Sequence, residues 1–344
     1  MQNIGIIGCG RIAQERHIPE YFGNPDCKIA GFYDFNIDRT QELAEKYGAK
    51  AYSSIEEMLD DPQIDAVSVC TANNSHADVT IKALGKKKHV LCEKPMAMSI
   101  EECEAMINAA KENNRRLMIG QNQRFTKAHI KAKELLEKGA VGDIITFKTT
   151  FGHCGPETWS IDSKNNNWFF DSKKAGMGAI ADLGIHKTDL IQFLTSSRVV
   201  ETTAKVVTID KRNSDGTPIG VDDNVICIYK LESGAVGTMC ASWSYYGKED
   251  NSTIIYGKTG IMKIYSDSDY SIVIEKKNGD TVKYDLDKIQ TNDNQTKSGI
   301  IDAFIESLEN NTEVPVTGVQ VLDAMKAVFA SIESSHSGKT IEIE

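Results

Sequence analysis

The chain has 344 residues, a hydrophobic fraction of 40% and a charged fraction of 26%, which are typical of a globular protein. Two domains are expected at this length, because a single core stops growing at about 250–300 residues. The net charge of −10 argues against a nucleic-acid partner, and the basic run at residues 86–88 is expected to be a solvated turn. No apolar run approaches the ~20 residues of a membrane span, and the eight cysteines form no C-x-x-C pair. Because the first residues lead directly into a strand pattern, no signal peptide is expected. A reducing, cytoplasmic setting is therefore expected.

The first element is a short apolar strand followed by a glycine-rich turn. Residues 4–7 are predicted to form the strand, and Gly8, Gly10 and Ala13 then fit G-x-G-x-x-A, a dinucleotide-binding pattern. Gly8 allows the tight turn, Gly10 lets the backbone approach a pyrophosphate, and Ala13 lets the next helix pack closely on the strand. That helix, expected over residues 11–22, directs its free N–H groups at the phosphates.

An acidic residue ends the second predicted strand, residues 28–34. Asp34 follows Ala13 by about 20 residues, the spacing of the residue that binds the adenine ribose in such domains. A carboxylate there accepts hydrogen bonds from the ribose hydroxyls and repels a 2′-phosphate, so NAD is expected rather than NADP. Arg39 is close enough to weaken the preference for NAD, because an arginine at this place can accommodate a 2′-phosphate. The alternative is that Asp34 only caps a turn or helix.

Strands and helices continue to alternate up to residue 121. Further strands are predicted at 50–52, 64–70, 89–92 and 117–119, and helices at 40–47, 55–59, 77–84 and around Cys103–Ala110. This alternation predicts an α/β domain over residues 1–121, a doubly wound parallel sheet covered on both faces. Ligands of such sheets bind at the carboxyl ends of the strands.

Two of those strand ends carry chemically active side chains, in Thr71–His76 and Glu93–Pro95. The Lys94 amine would move a proton if burial lowered its pKa, whereas the alternative is an ordinary surface lysine. The proline that follows it suggests a fixed geometry, with a cis bond as one option. For His76 the alternatives are local hydrogen bonds at a helix N-terminus and a cofactor contact.

The second half opens with the segment Gly120–Phe125 and an amphipathic helix, Lys127–Lys138, expected to bury Ile130 together with two leucines. A strand follows at 142–152, and then a long loop, 153–168, of the length and composition of a binding loop. Its tryptophans, Trp159 and Trp168, either stack on the apolar face of a ligand ring or fill the domain interface.

Asp182 and His186 are four residues apart, so a helix would place both on one face. Taken alone, such a pair is more often a structural polar contact than a catalytic site. No third histidine or carboxylate has the spacing of a metal ligand, and no metal is expected.

From residue 199 onward the pattern changes to alternating strands separated by Gly-containing hairpin turns. Strands are predicted at 206–209, 225–231, 235–241, 253–256, 261–265, 272–276 and 281–284, followed by two helices and a short last strand. Residues 122–344 are therefore predicted to form an α+β domain with a large, mostly antiparallel sheet that has one open face. That face is expected to bury against further copies of the chain, giving a homodimer or homotetramer.

The ordered motifs resemble those of the Gfo/Idh/MocA family, which includes glucose–fructose oxidoreductase and inositol 2-dehydrogenase. The resemblance rests on the glycine turn, Asp34, Thr71–His76 and Glu93–Pro95, and it extends over essentially the whole chain. It implies a Rossmann domain followed by an α+β substrate domain. It also implies an NAD(P)-dependent oxidoreductase that acts on a secondary alcohol or ketone of a sugar, sugar derivative or inositol.

The resemblance also implies roles for individual residues, with Lys94 and His186 as the catalytic acid/base pair. Cofactor contacts are implied for Gly8, Gly10, Arg11, Ile12, Asp34, Arg39, Thr71, Asn73, His76, Glu93 and Lys94, and substrate contacts for Asn122, Arg124, Trp168, Asp182 and His186. One departure is that Met177 replaces the middle of three glycines often found before the Asp182 helix. Two alternative functions are that of an NAD-dependent glycosidase, which some members of the family resemble, and that of a nucleotide-sensing protein, which would lack the catalytic pair.

Overall fold

The N-terminal part of the chain forms a six-stranded parallel sheet. The computed structural model describes residues 1–159, 161, 167–288 and 297–344. The strands are β1 (Gln2–Ile7), β2 (Cys27–Tyr33), β3 (Lys50–Ala51), β4 (Ala66–Val69), β5 (His89–Cys92) and β6 (Leu117–Ile119). Their order, β3-β2-β1-β4-β5-β6, reverses direction between β1 and β4, which is where such sheets bind ligands. The predicted doubly wound sheet is confirmed.

Helices connect these strands and cover the sheet. They are α1 (Ile18–Gly23), α2 (Ile37–Tyr47), α3 (Ile55–Asp60), α4 (His76–Gly85) and α5 (Ile100–Asn113), and a π-helical turn, Ala13–His17, leads into α1. Three of them begin at a side-chain cap, because Asn36, Ser54 and Ser99 each accept a hydrogen bond from the backbone N–H three residues on.

The rest of the chain builds a nine-stranded sheet with helices on one face. The strands are β7 (Ile144–Gly152), β8 (Val199–Val207), β9 (Asn224–Leu231), β10 (Val236–Ser242), β11 (Thr253–Gly257), β12 (Gly260–Ile264), β13 (Ile272–Lys276), β14 (Thr281–Tyr284) and β15 (Ile341–Glu342). The helices are α6 (Lys127–Glu137), α7 (Ile185–Thr195), α8 (Ile300–Glu309) and α9 (Gly318–Ser337). Within the described residues, neighbouring strands are antiparallel except for the central pair β7 and β10.

Alternating side chains divide this sheet into a covered and an open face. In β9, Cys227, Tyr229 and Leu231 are buried, whereas Ile226 and Ile228 are 59% and 50% exposed. The buried set faces α7 and α9, and a Tyr229–Thr188 hydroxyl contact of 3.1 Å joins the layers. The predicted α+β domain with an open-faced sheet is confirmed.

The two closing helices return to the first domain. The Glu20 carboxylate accepts hydrogen bonds from the N–H groups of Ser298 (2.7 Å) and Gly299 (3.2 Å), just before α8. Just before α9, the Val316 carbonyl accepts a bond of 3.2 Å from Ile119 N–H. These contacts brace the two halves against each other, and the division at residue 121 stays a prediction.

Two expectations about burial are wrong. Ile130 is 51% exposed, because α6 instead turns His129 and two alanines inward, where the imidazole packs edge-on against Tyr265 at 5.2 Å. Within the basic run, Lys88 is buried rather than solvated, because its ammonium donates to the carbonyls of Asp61 and Ile64, both at 2.8 Å.

Candidate active site

A cavity of about 960 Å³ lies between the carboxyl edge of the first sheet and the second domain. Most of the predicted site residues line it: Gly8, Gly10, Arg11, Ile12, Asp34, Arg39, Thr71, Asn73, His76, Glu93, Lys94, Asn122, Trp168, Asp182 and His186. The topology explains why these residues line one cavity. The carboxyl ends of the first sheet's strands share one edge, and the start of α7 packs above that edge.

The glycine turn has the shape that a pyrophosphate requires. Gly8 has φ of +88°, and a Cβ there would lie 2.6 Å from the carbonyl oxygen of Cys70, so the position excludes a side chain. A Cβ built on Gly10 meets no atom of the described residues within 4 Å, so the backbone there faces open space in the cavity. The turn therefore fits a dinucleotide.

Asp34 stands at the end of β2 and fastens the glycine turn. One carboxylate oxygen accepts a hydrogen bond from Cys9 N–H (2.7 Å), and the other accepts from Asn36 N–H (2.9 Å) and from Arg39 Nη1 (3.1 Å). Both alternatives raised for this residue thus have support, because it orders a turn and also lines the cavity. Its contact with a ribose stays a prediction.

The loops after β4 and β5 are tied together through His76. Its ring nitrogens face two backbone carbonyls, that of Pro95 at 2.7 Å and that of Thr71 at 3.1 Å. Burial lowers the pKa of His76, and a neutral imidazole carries one N–H group, so the ring donates to one of these two carbonyls. Local hydrogen bonding therefore has support, and the cofactor contact stays a prediction. Asn73 joins the same loop to the second domain by donating to the carbonyl of Ala175 (3.0 Å).

Glu93 is a buried carboxylate beneath the reactive strand end. Its Oε1 lies 2.8 Å from His17 Nε2, and its Oε2 accepts a bond of 3.1 Å from the Lys94 N–H. Although burial opposes ionisation, the hydrogen bond and charge of His17 hold the pKa of Glu93 well below its ordinary value. His17 was missed from sequence, because a histidine on a helix carries no sign of its partner.

Lys94 forms the central ion pair of the cavity. Its Nζ donates to Asp182 Oδ1 at 2.7 Å and to the Asp182 carbonyl at 2.9 Å. Trp243 Nε1 donates to Asp182 Oδ2 at 3.0 Å and so fixes the carboxylate plane. Burial opposes ionisation of Asp182, but the adjacent ammonium lowers its pKa below the ordinary value. The Lys94–Pro95 peptide bond is cis.

His186 lies in the first turn of α7 and lines the same cavity. Its Nδ1 has no hydrogen-bond partner among the described residues, and the ring packs 6.2 Å from that of Phe151. Burial, followed by the positive charge of Lys94, lowers the pKa of His186 well below its ordinary value. The imidazole is therefore neutral, and its Nδ1 is left available to a ligand.

A π-helical turn, Ile180–Gly184, presents Asp182 where a regular helix was expected. Asp222 holds the start of this turn by accepting hydrogen bonds from the N–H groups of Gly178 (2.7 Å) and Ile180 (2.8 Å). A Cβ on Gly178 would lie 1.8 Å from the Asp222 carbonyl oxygen, so only glycine fits there. Burial raises the pKa of Asp222 to about 6. The neighbouring Met177, in place of a third glycine, is accommodated in the cavity wall.

The substrate contact expected for Arg124 has no support in the geometry and stays a prediction. Its guanidinium makes a two-point contact with Asp189 (2.7 and 2.6 Å) and donates to Gln320 Oε1 (2.9 Å), and it does not line the cavity. The resemblance suggested a binding arginine, but this guanidinium is already occupied in joining the exit segment to α7 and α9.

The loop between β7 and the π-turn is described only in part, because residues 160 and 162–166 lie outside the described residues. Its start is anchored by the buried Lys211, whose ammonium donates to the carbonyl of Cys154 (2.7 Å) and to Glu157 Oε1 (2.5 Å). Trp168 lines the cavity and stacks on Phe169 at 4.0 Å, so it is partly packed and partly open to a ligand. The sequence carried no sign of the Lys211 anchor.

Two other expectations concern metals and membranes. The described residues contain no group of three histidine, cysteine or acidic side chains able to hold a metal ion. They also contain no helix with the length and apolar character needed to cross a membrane. All eight cysteines lie within the described residues as free thiols.

The fold and the cavity define a dinucleotide-dependent oxidoreductase, and comparison with known proteins gives the family. Residues 2–121 match the profile described as "Oxidoreductase family, NAD-binding Rossmann fold", and residues 129–263 match the "GFO/IDH/MocA C-terminal domain". The chain belongs to the Gfo/Idh/MocA oxidoreductase family. It is an enzyme of the oxidoreductase class, and its cofactor is NAD, as predicted.

Individual relatives extend the comparison over the whole chain. A levoglucosan dehydrogenase of Pseudarthrobacter phenanthrenivorans is 30% identical over 286 residues, covering 75% of this chain and 72% of the relative. A myo-inositol 2-dehydrogenase of Thermotoga maritima is 26% identical over 99% of this chain and 98% of its own. The structure of a levoglucosan dehydrogenase complexed with NADH and levoglucosan superposes with a TM-score of 0.86 at 25% identity, covering 99% of each chain.

Proposed function

We propose that this enzyme transfers a hydride between NAD(H) and the secondary alcohol or ketone carbon of a sugar, sugar derivative or cyclitol. The observation that carries the proposal is the Lys94–Asp182 ion pair at 2.7 Å in a cavity shared with the neutral His186 and the glycine turn. An amine and an imidazole beside a dinucleotide site are the groups that proton transfer at a hydroxyl oxygen needs.

The relatives support this substrate class. The levoglucosan dehydrogenase and the myo-inositol 2-dehydrogenase are both named for polyhydroxylated rings, as is a D-glucoside 3-dehydrogenase of Escherichia coli that is 31% identical over 56% of this chain. None of these names identifies the substrate of this chain, which the proposal leaves at the level of a sugar or cyclitol.

The residues divide the work according to their charge. NAD, when bound, supplies the acceptor or donor of the hydride, and the glycine turn with Asp34 would hold it. The Lys94 N–H group holds the substrate oxygen, and the neutral His186 accepts the hydroxyl proton during oxidation. In the reverse direction His186 returns that proton to the ketone oxygen. Asp182, held in place by Trp243, positions the Lys94 amine and accepts a hydrogen bond from a neighbouring hydroxyl group of the substrate.

Net formation of NADH tests this proposal. The enzyme and NAD are mixed with a panel of hexoses and inositols, and the near-ultraviolet absorbance of the reduced nicotinamide is followed. At least one ring polyol should give NADH in amounts equal to the ketone formed. Tight NAD binding without NADH from any of these polyols would contradict the proposal, and release of an aglycone without NADH would indicate the glycosidase reaction instead.

The assembly and location are also part of the proposal. Ile226, Ile228 and Val236 give the open sheet face a row of exposed apolar side chains, which favours burial against a second copy in a homodimer or homotetramer. The eight free thiols favour a cytoplasmic location. Light scattering that shows a monodisperse monomer would contradict the oligomer.

A further inference from the structure

Four side chains that line the cavity, here called the acceptor end, have no part in the hydride-transfer site. This acceptor end is defined by Gln123, His129, Asn251 and Tyr265, all from the second domain and all lining the cavity. The inference drawn from it rests on the proposed function, since it concerns how the same substrate is held.

Three polar atoms at the acceptor end are buried without a partner among the described residues. They are Gln123 Oε1, His129 Nε2 and Asn251 Oδ1, and each belongs to a side chain that is more than nine-tenths buried. Buried polar atoms are almost always hydrogen-bonded in folded proteins, so three such atoms around one cavity indicate a ligand that supplies the missing partners.

All three atoms are hydrogen-bond acceptors. The oxygens are amide carbonyls, which accept only. His129 Nδ1 lies 2.7 Å from the backbone carbonyl oxygen of Gln123, so Nδ1 carries the ring proton and Nε2 keeps a lone pair. Burial lowers the pKa of His129 to about 3, so the ring stays neutral at ordinary pH. The missing partners are therefore donors.

A cation near these atoms, Lys187, already has partners of its own. Lys187 is fully buried and does not line the cavity, and its Nζ donates to the Asn251 carbonyl (2.9 Å) and contacts Thr253 Oγ1 (3.5 Å). It fixes the backbone of Asn251 from behind. The acceptor end thus offers lone pairs to a ligand, while the described residues place no charged donor there.

We propose that the acceptor end binds hydroxyl groups remote from the reacting carbon, so that the enzyme selects uncharged polyols over phosphorylated or carboxylated ones. Each O–H group of a sugar or cyclitol satisfies one lone pair. A phosphate or carboxylate supplies no donor to these acceptors and meets only the uncharged N–H groups of the two amides, so it binds less well than a hydroxyl group.

Three substitutions test this selection. Gln123→Met and Asn251→Leu remove the acceptors with little change of shape, and His129→Asn keeps a donor at the Nδ1 position while removing Nε2. The matched control is Gln121→Met, because Gln121 is also buried with an unpaired amide but does not line the cavity. The assay measures kcat and KM for the best neutral substrate, its monodeoxy analogues and its phosphate ester.

Each of the three variants should raise KM for the neutral substrate about tenfold, with a smaller change in kcat and unchanged NAD affinity. The KM and kcat of the Gln121→Met control should stay within twofold of the wild-type values. Each variant should also lose its ability to distinguish the parent polyol from the analogue that lacks the contacted hydroxyl.

An equal rise in KM in the Gln121→Met control would contradict the proposal. A rise in KM of the same size with every deoxy analogue would also contradict it. Wild-type preference for the phosphate ester would also overturn it while leaving the proposed function intact. Absence of NADH from every substrate, neutral or charged, would instead be a failure of the proposed function.

Discussion

Two ion pairs on the same helical stretch show how similar contacts serve different ends. Lys94–Asp182 and Arg124–Asp189 each join a cation from the end of the first sheet to a buried carboxylate, at 2.7 and 2.6 Å. The Lys94 side chain is 17% exposed and lines the cavity, whereas Arg124 is closed in by Asp189 and Gln320.

The difference lies in what remains available to a ligand. The Lys94 amine fixes Asp182 in its charged form and still faces open space, so it is suited to chemistry. The Arg124 pair is shut away, and burial raises the pKa of Asp189 in spite of the guanidinium beside it. A buried pair of this kind holds elements together and is costly to break.

The largest effect is expected at the open pair. Lys94→Met should lower turnover by about 10²–10⁴-fold, because the variant loses the amine that holds the reacting oxygen. NAD affinity should change little, and thermal stability should fall less than at the closed pair, because Asp182 keeps its hydrogen bond from Trp243 and lines the open cavity. Steady-state kinetics and a fluorescence titration with NADH measure these quantities, and turnover within tenfold of wild type would place Lys94 outside the chemistry.

The closed pair should show the opposite profile. Arg124→Met should lower the free energy of unfolding by about 3–5 kcal/mol, because it leaves Asp189 buried without a partner. The activity of each folded molecule should stay near wild type. The double variant Arg124→Met, Asp189→Leu serves as the control and should recover much of the loss in urea unfolding. A stable single variant with strongly reduced kcat would reverse the assignment.

Stability should fall in acid because of His129, which lies outside both pairs. Its pKa is about 3 when folded and near 6.5 when unfolded, so the unfolded chain binds more protons between these values. Its contribution is complete above pH 6.5 and is lost as the pH falls toward 3, by about 1.4 kcal/mol per pH unit. The free energy of unfolding, measured between pH 3 and pH 6.5, should depend less steeply on pH for His129→Asn than for wild type. An unchanged slope would mean that the ring protonates in the folded state.

A smaller effect is expected at a third pair, Asp34–Arg39, which lines the cavity at the far side of the glycine turn. Asp34→Asn removes the charge that repels a 2′-phosphate, so the preference for NAD over NADP should fall by about tenfold. The ratio of kcat/KM values with the two cofactors measures it. Loss of both activities together would show that the substitution mainly disturbs the turn at Cys9.

Much of the fold was predictable because it depends on local patterns. The glycine spacing, the strand–helix alternation and the carboxyl-end rule together place Gly8, Asp34 and Lys94 along one edge without any knowledge of tertiary contacts. The open sheet followed in the same way from period-two alternation in strands such as β9.

The rest depended on partners far apart in sequence. Trp243 and Asp222 orient the Asp182 turn from positions about 40 to 60 residues downstream, and nothing local marks either residue. Arg124 shows the converse case, because a motif position suggested a ligand contact while Asp189 and Gln320 take up its donors. A residue's type and position predict which region of the fold its side chain lies in. Whether its hydrogen-bonding groups are still available to a ligand is visible only in the structure.

The most direct test asks whether Lys94 and His186 act on the same proton transfer. Turnover is compared for Lys94→Met, His186→Asn and the double variant, with NADH formation from the best polyol as the readout. If the two residues work as one unit, the double variant should be no slower than the slower single variant. Losses that multiply in the double variant would show that the two residues act on separate steps, and would contradict a shared acid/base site.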